Sequence, residues 1–167
     1  MLLSASAPTP TNADPRSRAL ARNQVVDGVH PSAFGQEALA RRLVERGVRV
    51  RILTNSINSN NHLTAHSAYR RHVRQLLDLG AEVHEVRADA EDRALYIESP
   101  VSNKSLCLHA KVLVFDRDSV FIGSANLDPR SLRINTEMGL LIRTASLNRE
   151  LRTALEPDFS TRNAWRL

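Results

Sequence analysis

Hydrophobic positions first fall into a regular step after residue 31 of this 167-residue chain. In SAFGQEALARRLVERG, apolar Ala38, Leu39, Leu43 and Val44 recur at helical spacing and Gly47 offers a stop, so a helix is predicted from about Ser32. VRVRILT then alternates as a strand, and the polar run from Thr54 to Asn61 reads as loop. AHSAYRRHVRQLLDLG predicts a second helix, apolar at Tyr69, Val73, Leu76 and Leu77 and closed by Gly80, and AEVHEVR a second strand. Helix, strand, helix, strand in this order is βαβ logic, which implies an α/β fold with a sheet flanked by helices. Residues 88 to 105 are charged and irregular. Segments 108–116, 119–123 and 136–143 look like further strands, ASLNRELRTALE a closing helix with Ser146 as candidate cap, and NAWRL a short strand. Residues 1–30, rich in Ser, Thr, Pro, Ala and Asn, show no apolar period. They read as a flexible lead before a single domain over 31–167.

One stretch breaks the pattern. LHAKVLVFD, residues 108 to 116, is apolar enough for an interior strand, yet it carries His109 and Lys111. A lysine ammonium is costly there unless an anion or a carboxylate sits against it. Side chains alternate along a strand, so His109, Lys111, Leu113 and Phe115 share one face. DRDS at 116–119 predicts a turn and VFIG a returning strand. With Arg117 and Asp118 at the tip, Lys111 stands opposite Ser124 and His109 opposite Asn126; an odd-numbered loop would put Ser124 and Asn126 on the other face. Gly123 lets the backbone leave the ladder. The resulting patch suits a tetrahedral oxyanion. Lys111 neutralises charge, Ser124 and Asn126 donate hydrogen bonds, and His109 attacks or moves a proton.

Composition changes this picture little. The chain is 42% hydrophobic and 25% charged, with 23 basic against 18 acidic residues and a net charge of +5, which favours an anionic partner. The single cysteine, Cys107, excludes an internal disulfide and a cysteine-based zinc site and reads as a small buried filler. No apolar stretch approaches the roughly 20 residues that span a bilayer, and the first residues make a poor signal peptide. A cytoplasmic location is expected, with contact at the inner membrane peripheral.

H-x-K-x4-D at His109, Lys111 and Asp116, followed by G-S-x-N at Gly123, Ser124 and Asn126, resembles the HKD motif of the phospholipase D superfamily. LDPRSLRINTEMG, with Arg130, Ser131, Asn135 and Glu137, is similar to bacterial cardiolipin synthases, as are RGVRVRILTNS and the tyrosine-bearing helix before LGAEVHEV, nearest to the C type. The resemblance covers about residues 30 to 165. It implies metal-independent phosphodiester cleavage through a phosphohistidine, with no cofactor. His109 would be the nucleophile, and Lys111 and Asn126 would hold the non-bridging oxygens with Ser124 nearby. Glu137 would accept a proton from the imidazole. Asp116 and Gly123 belong to the motif as structural members, and Arg130 is a candidate for binding phosphate or head group. Asn55 and Ser56, at a strand's C-terminal end, are further substrate-binding candidates.

Family members carry two such motifs, with the second histidine protonating the leaving oxygen. Here His30, His62, His66, His72 and His84 are followed at the second position by Ser, Thr, Ala, Arg and Val, so H-x-K occurs once. The chain reads as one half of a two-motif assembly, resembling the C-terminal half. Its second half is expected from a homodimer mate or from a missing N-terminal half, the irregular lead and abrupt ending favouring the latter. Since general acid catalysis contributes about 10² to 10⁴-fold, a lone half should be close to inert. Three functions follow: phosphatidyl transfer or phospholipid hydrolysis on a phosphatidylglycerol-like substrate; a homodimeric phosphodiesterase acting on nucleic acid, the less favoured partner; and a non-catalytic half-domain.

Overall fold

The computed structural model describes residues 2–6, 35–60, 63–95, 97, 99–126, 131 and 134–167. They build one seven-stranded sheet: β1 (Leu2–Ser6), β2 (Arg49–Asn55), β3 (Glu82–Val86), β4 (Val112–Phe115), β5 (Ser119–Gly123), β6 (Gly139–Arg143) and β7 (Ala164–Arg166), in the spatial order β6-β5-β4-β1-β2-β3-β7. Helices α1 (Gly35–Val44), α2 (Leu63–Asp78) and α3 (Ala145–Leu155) accompany it. The expected α/β architecture is the observed one.

Both early helices end alike. Gly47 and Gly80 take left-handed φ of 73° and 87°, the Val48 N–H reaches the Leu43 carbonyl, and the Ala81 N–H reaches that of Leu76. These are Schellman stops, which only glycine adopts without strain. Each turns the chain directly into a strand. On one sheet face, Leu39, Ala40 and Leu43 of α1 and Leu76 of α2 pack on Val50, Ile52 and Val83, with Leu113 and Phe115 of β4 alongside. On the other, Leu53, Val86, Phe159 and Ala164 pack with Leu108, Val112 and Leu155. The sheet is thus covered on both faces, as its apolar strands require.

Three features differ from the pattern read in the chain. First, a strand lies within the first residues, where a flexible lead is expected over 1–30. Leu2–Ser6 forms β1, a strand between β4, to which it is parallel, and β2, to which it is antiparallel. Its five residues, LLSAS, are too short to show a period. Second, β4 and β5 pair as Val112↔Ile122, Leu113↔Phe121, Val114↔Val120 and Phe115↔Ser119. The turn therefore holds three residues, with Asp116 at a left-handed φ of 47°, a conformation that aspartate tolerates. Lys111 consequently stands opposite Gly123, whose N–H donates to the Lys111 carbonyl at 3.0 Å. Third, Thr144, not Ser146, is the N-cap of α3, and their hydroxyls lie 2.8 Å apart.

Two side chains pin the hairpin. Asn148 of α3, buried, donates to the carbonyls of Phe115 and Ser119 at 3.0 and 2.9 Å and accepts from Arg152 Nε at 2.9 Å. Arg152 also donates to the Asp116 carbonyl. Across β5 and β6, the Phe121 ring fills the space over Gly139, where a Cβ would come within 2.3 Å of it.

His84 of β3 is buried with neither ring nitrogen hydrogen-bonded and meets the Phe159 ring edge-on at 5.1 Å. Burial, then the nearby Arg51 charge, pushes its pKa down. The unfolded chain therefore binds a proton that the native state refuses as pH falls through the ordinary value of about 6.5, and stability should decline there and level off below the lowered native value. Denaturant titrations across that range should show the decline, and His84→Leu should flatten it; an unaltered slope would exclude His84 as its source.

Candidate active site

His109 and Lys111 lie in the extended approach to β4, just ahead of its first ladder residue, Val112. Lys111 is only 8% exposed. Its Nζ donates to the His109 carbonyl at 2.7 Å and lies 3.0 and 3.2 Å from Nδ1 and Nε2 of the same imidazole. An ammonium has donors and no acceptor, so the ring nitrogen that receives it is the unprotonated one. The residue two positions upstream thus supplies acceptors for the cation that looked misplaced in an apolar run. His109 itself is exposed, leaving an accessible imidazole with a buried charge set against its ring.

One strand away, β5 ends at Gly123 and the next residue bonds across to the approach to β6. Ser124 N–H donates to the Met138 carbonyl at 2.9 Å, and its hydroxyl accepts from Met138 N–H at 3.0 Å. The same hydroxyl donates to Glu137 Oε2 at 2.5 Å, and Asn135 Nδ2 donates to Oε1 at 3.1 Å. These bonds, first Ser124 and then Asn135, with one from the buried Ser131 and the Lys111 charge in support, hold the Glu137 carboxyl below the usual carboxylate range. Glu137 is a carboxylate kept ionised within reach of the Lys111 field. Among the described residues no group of three or more His, Cys, Asp or Glu side chains converges to hold a metal ion.

A family model described as "Cardiolipin synthase, PLD-like domain" matches residues 29–159. This chain belongs to the phospholipase D superfamily, among its cardiolipin synthase-like domains. The domain is 40% identical over 107 residues to cardiolipin synthase C of Escherichia coli K12, covering 64% of this chain and 23% of that protein. It is 31% identical over 123 residues to a cardiolipin synthase A of Pseudomonas aeruginosa, 74% of this chain and 21% of that one. An uncharacterized Helicobacter pylori protein is 36% identical over 124 residues, 74% and 24% of the respective lengths. The chain thus spans less than a quarter of the length of these relatives. In fold it is similar to Nuc of Salmonella typhimurium, a phospholipase D family member, with a TM-score of 0.57 at 14% identity over 99% of this chain and 97% of that one.

The structure sets His109, Lys111 and Gly123 side by side and bonds Ser124 to Glu137, but the three-residue turn does not give the expected pairs of Lys111 with Ser124 and His109 with Asn126: Ser124 falls opposite Ala110, on the other face. Glu137 is not bonded to the imidazole: its oxygens are engaged by Ser124 and Asn135, while the His109 ring faces Lys111. Asn126 is exposed beyond the end of β5. Asp116 sits at the far end of β4, its carbonyl bonded to Arg152, in keeping with a structural place. Arg130 lies outside the described residues. The expectation that Asn55 and Ser56 line a substrate pocket is corrected. Ser56 is 1% exposed and bonded to Ser59, and the Asn55 amide is spent on the backbone of Leu108. Cys107 is exposed rather than a buried filler. Asn148 escaped notice, although a polar residue in line with Leu151 and Leu155 on a helical stripe was a usable signal.

Replacing Ser124 by Ala removes the first support of the Glu137 charge. The Glu137 carboxyl should then titrate closer to the ordinary glutamate value of about 4.3, as read by carbon NMR of the side chain; an unmoved titration would show that Ser124 does not hold it.

Proposed function

We propose that this domain is one half of a phosphatidyl-transfer site of the cardiolipin synthase kind. The observation that carries this reading is the buried Lys111 ammonium set against the exposed His109 imidazole, with the ionised Glu137 and its Ser124 partner one strand away. In the proposed step an imidazole nitrogen of His109 attacks phosphorus, a P–N bond forms, and the P–O bond to the leaving alcohol breaks. A histidine of a second motif gives the leaving oxygen its proton. An acceptor hydroxyl then attacks phosphorus and gives its proton to that second histidine, now neutral, as the P–N bond breaks and the phosphatidyl group leaves His109. Lys111 takes the charge that builds on the non-bridging oxygens, and Glu137 compensates the imidazolium.

H-x-K occurs once in this sequence, so the second motif comes from another copy of the chain or from another segment. The residues beside the site favour a lipid over a nucleic acid. Ile134, Met138 and Leu140, flanking Glu137, are 79%, 78% and 62% exposed, an apolar rim suited to acyl chains and not to a phosphate backbone. Among the described residues no helix is long and apolar enough to cross a membrane, and contact with the inner membrane surface is proposed to be peripheral. The net charge of +5 supports the second reading, phosphodiester cleavage in nucleic acid by a homodimer.

The protein should be fractionated by mass and each fraction incubated, without metal, with labelled phosphatidylglycerol and with plasmid DNA. Cardiolipin should form only in the species holding two motifs, and His109→Ala should reduce it by at least about 10⁴-fold. DNA nicking instead of cardiolipin would transfer the assignment to the second reading, and silence from every assembly would leave a non-catalytic half.

A further inference from the structure

We infer that Asn55 is a positioning residue for His109, acting through the backbone of Leu108. This rests on the reading of His109 as the reacting group, and it follows from the way the sheet is built. The β1 ladder begins at Leu2, which pairs with Leu53 of β2 on one side and Val112 of β4 on the other. Asn55 and Leu108 both lie past that point, on opposite sides of the line that β1 follows. Strands two places apart in a sheet are separated by roughly 10 Å, too far for β2 and β4 to bond directly. The Asn55 side chain spans the interval. Its Nδ2 donates to the Leu108 carbonyl at 2.8 Å and its Oδ1 accepts from the Leu108 N–H at 2.7 Å. One side-chain amide thereby satisfies both backbone groups of a residue, as a neighbouring strand would.

The amide is itself held. Ser59 Oγ lies 3.4 Å from Asn55 Oδ1 and accepts from the Ser56 N–H at 2.8 Å, while the Ser56 hydroxyl accepts from the Ser59 N–H at 3.2 Å. Both serines are 1% exposed. In the turn from Asn55 to Ser59 the two buried serines bond reciprocally and form the base of the clamp, with Ile57 and Asn58 exposed at its tip. Leu108 immediately precedes His109, and the His109 carbonyl is the acceptor for Lys111 Nζ at 2.7 Å. Fixing both polar groups of Leu108 fixes the peptide from which the imidazole springs and the carbonyl that anchors the cation. A polar residue at a strand end thus acts on the chemistry without touching substrate.

Two variants of the full chain test this. Asn55→Leu removes both bonds, whereas Asn55→Asp keeps the acceptor for the Leu108 N–H and loses the donor to its carbonyl. In hydrogen exchange followed by NMR, the Leu108 amide should exchange about tenfold faster in Asn55→Leu, the worth of one hydrogen bond, and stay protected in Asn55→Asp, with Val114 and Val120 unaltered in both. The His109 ring-proton resonances should move in both variants and those of His84 in neither. In any assembly that turns over, kcat should fall about 10- to 100-fold with KM within about twofold, since the contact is not to substrate. Unchanged exchange at Leu108 in Asn55→Leu, an unmoved His109 ring, or a rise in KM alone would each overturn the inference. A protein silent on phospholipid whose Leu108 and His109 still respond as stated would overturn the proposed function and leave this one standing.

Discussion

The whole site depends on keeping one cation out of water. A lysine ammonium buried in an apolar strand approach is unfavourable by several kcal/mol unless its donors are met, and here the His109 carbonyl and imidazole meet them. That solution constrains everything around it. The peptide of residues 108 and 109 must be held still, and the neighbouring strand must end where Gly123 allows it. Burial that is costly for the fold is useful for phosphoryl chemistry, because a charge with little water around it acts strongly on a developing oxyanion.

The fold supplies these constraints from both sides. On the β5 and β6 side, close passage over Gly139 lets the Phe121 ring pack flat, and Ser124 joins the end of β5 to Glu137 and Met138. On the β2 side, the interval beyond the first residue of β1 is bridged by Asn55. Helix α3 secures the far end of the hairpin through Asn148, which bonds the Phe115 and Ser119 carbonyls, and Arg152, which bonds the Asp116 carbonyl. The motif is better understood as one hairpin fixed at both ends than as a set of reactive groups.

Much of this was legible in the chain because periodicity and spacing are local. Helices α1 and α2 and their glycine stops followed from patterns within about 20 residues of one another. What could not be read was set by tertiary structure. The hairpin register turned on whether Asp116 would enter a left-handed conformation, a single-residue choice that shifts every cross-strand partner. The place of Leu2–Ser6 in the sheet is a long-range pairing with no local signature. Asn55 and Ser56 looked like pocket residues because strand ends so often bind ligands; only coordinates reveal that one side chain is spent on a neighbouring backbone and the other is buried.

Binding of orthovanadate, a mimic of the phosphoryl group in flight, offers the most direct measurement of the His109–Lys111 pair as an oxyanion site. Titrated into isotopically labelled protein, it should shift the His109 ring and Lys111 Nζ resonances saturably, and Lys111→Met should abolish the response. Saturable shifts confined to other residues, or an undiminished His109 response in Lys111→Met, would contradict the role given to that buried cation.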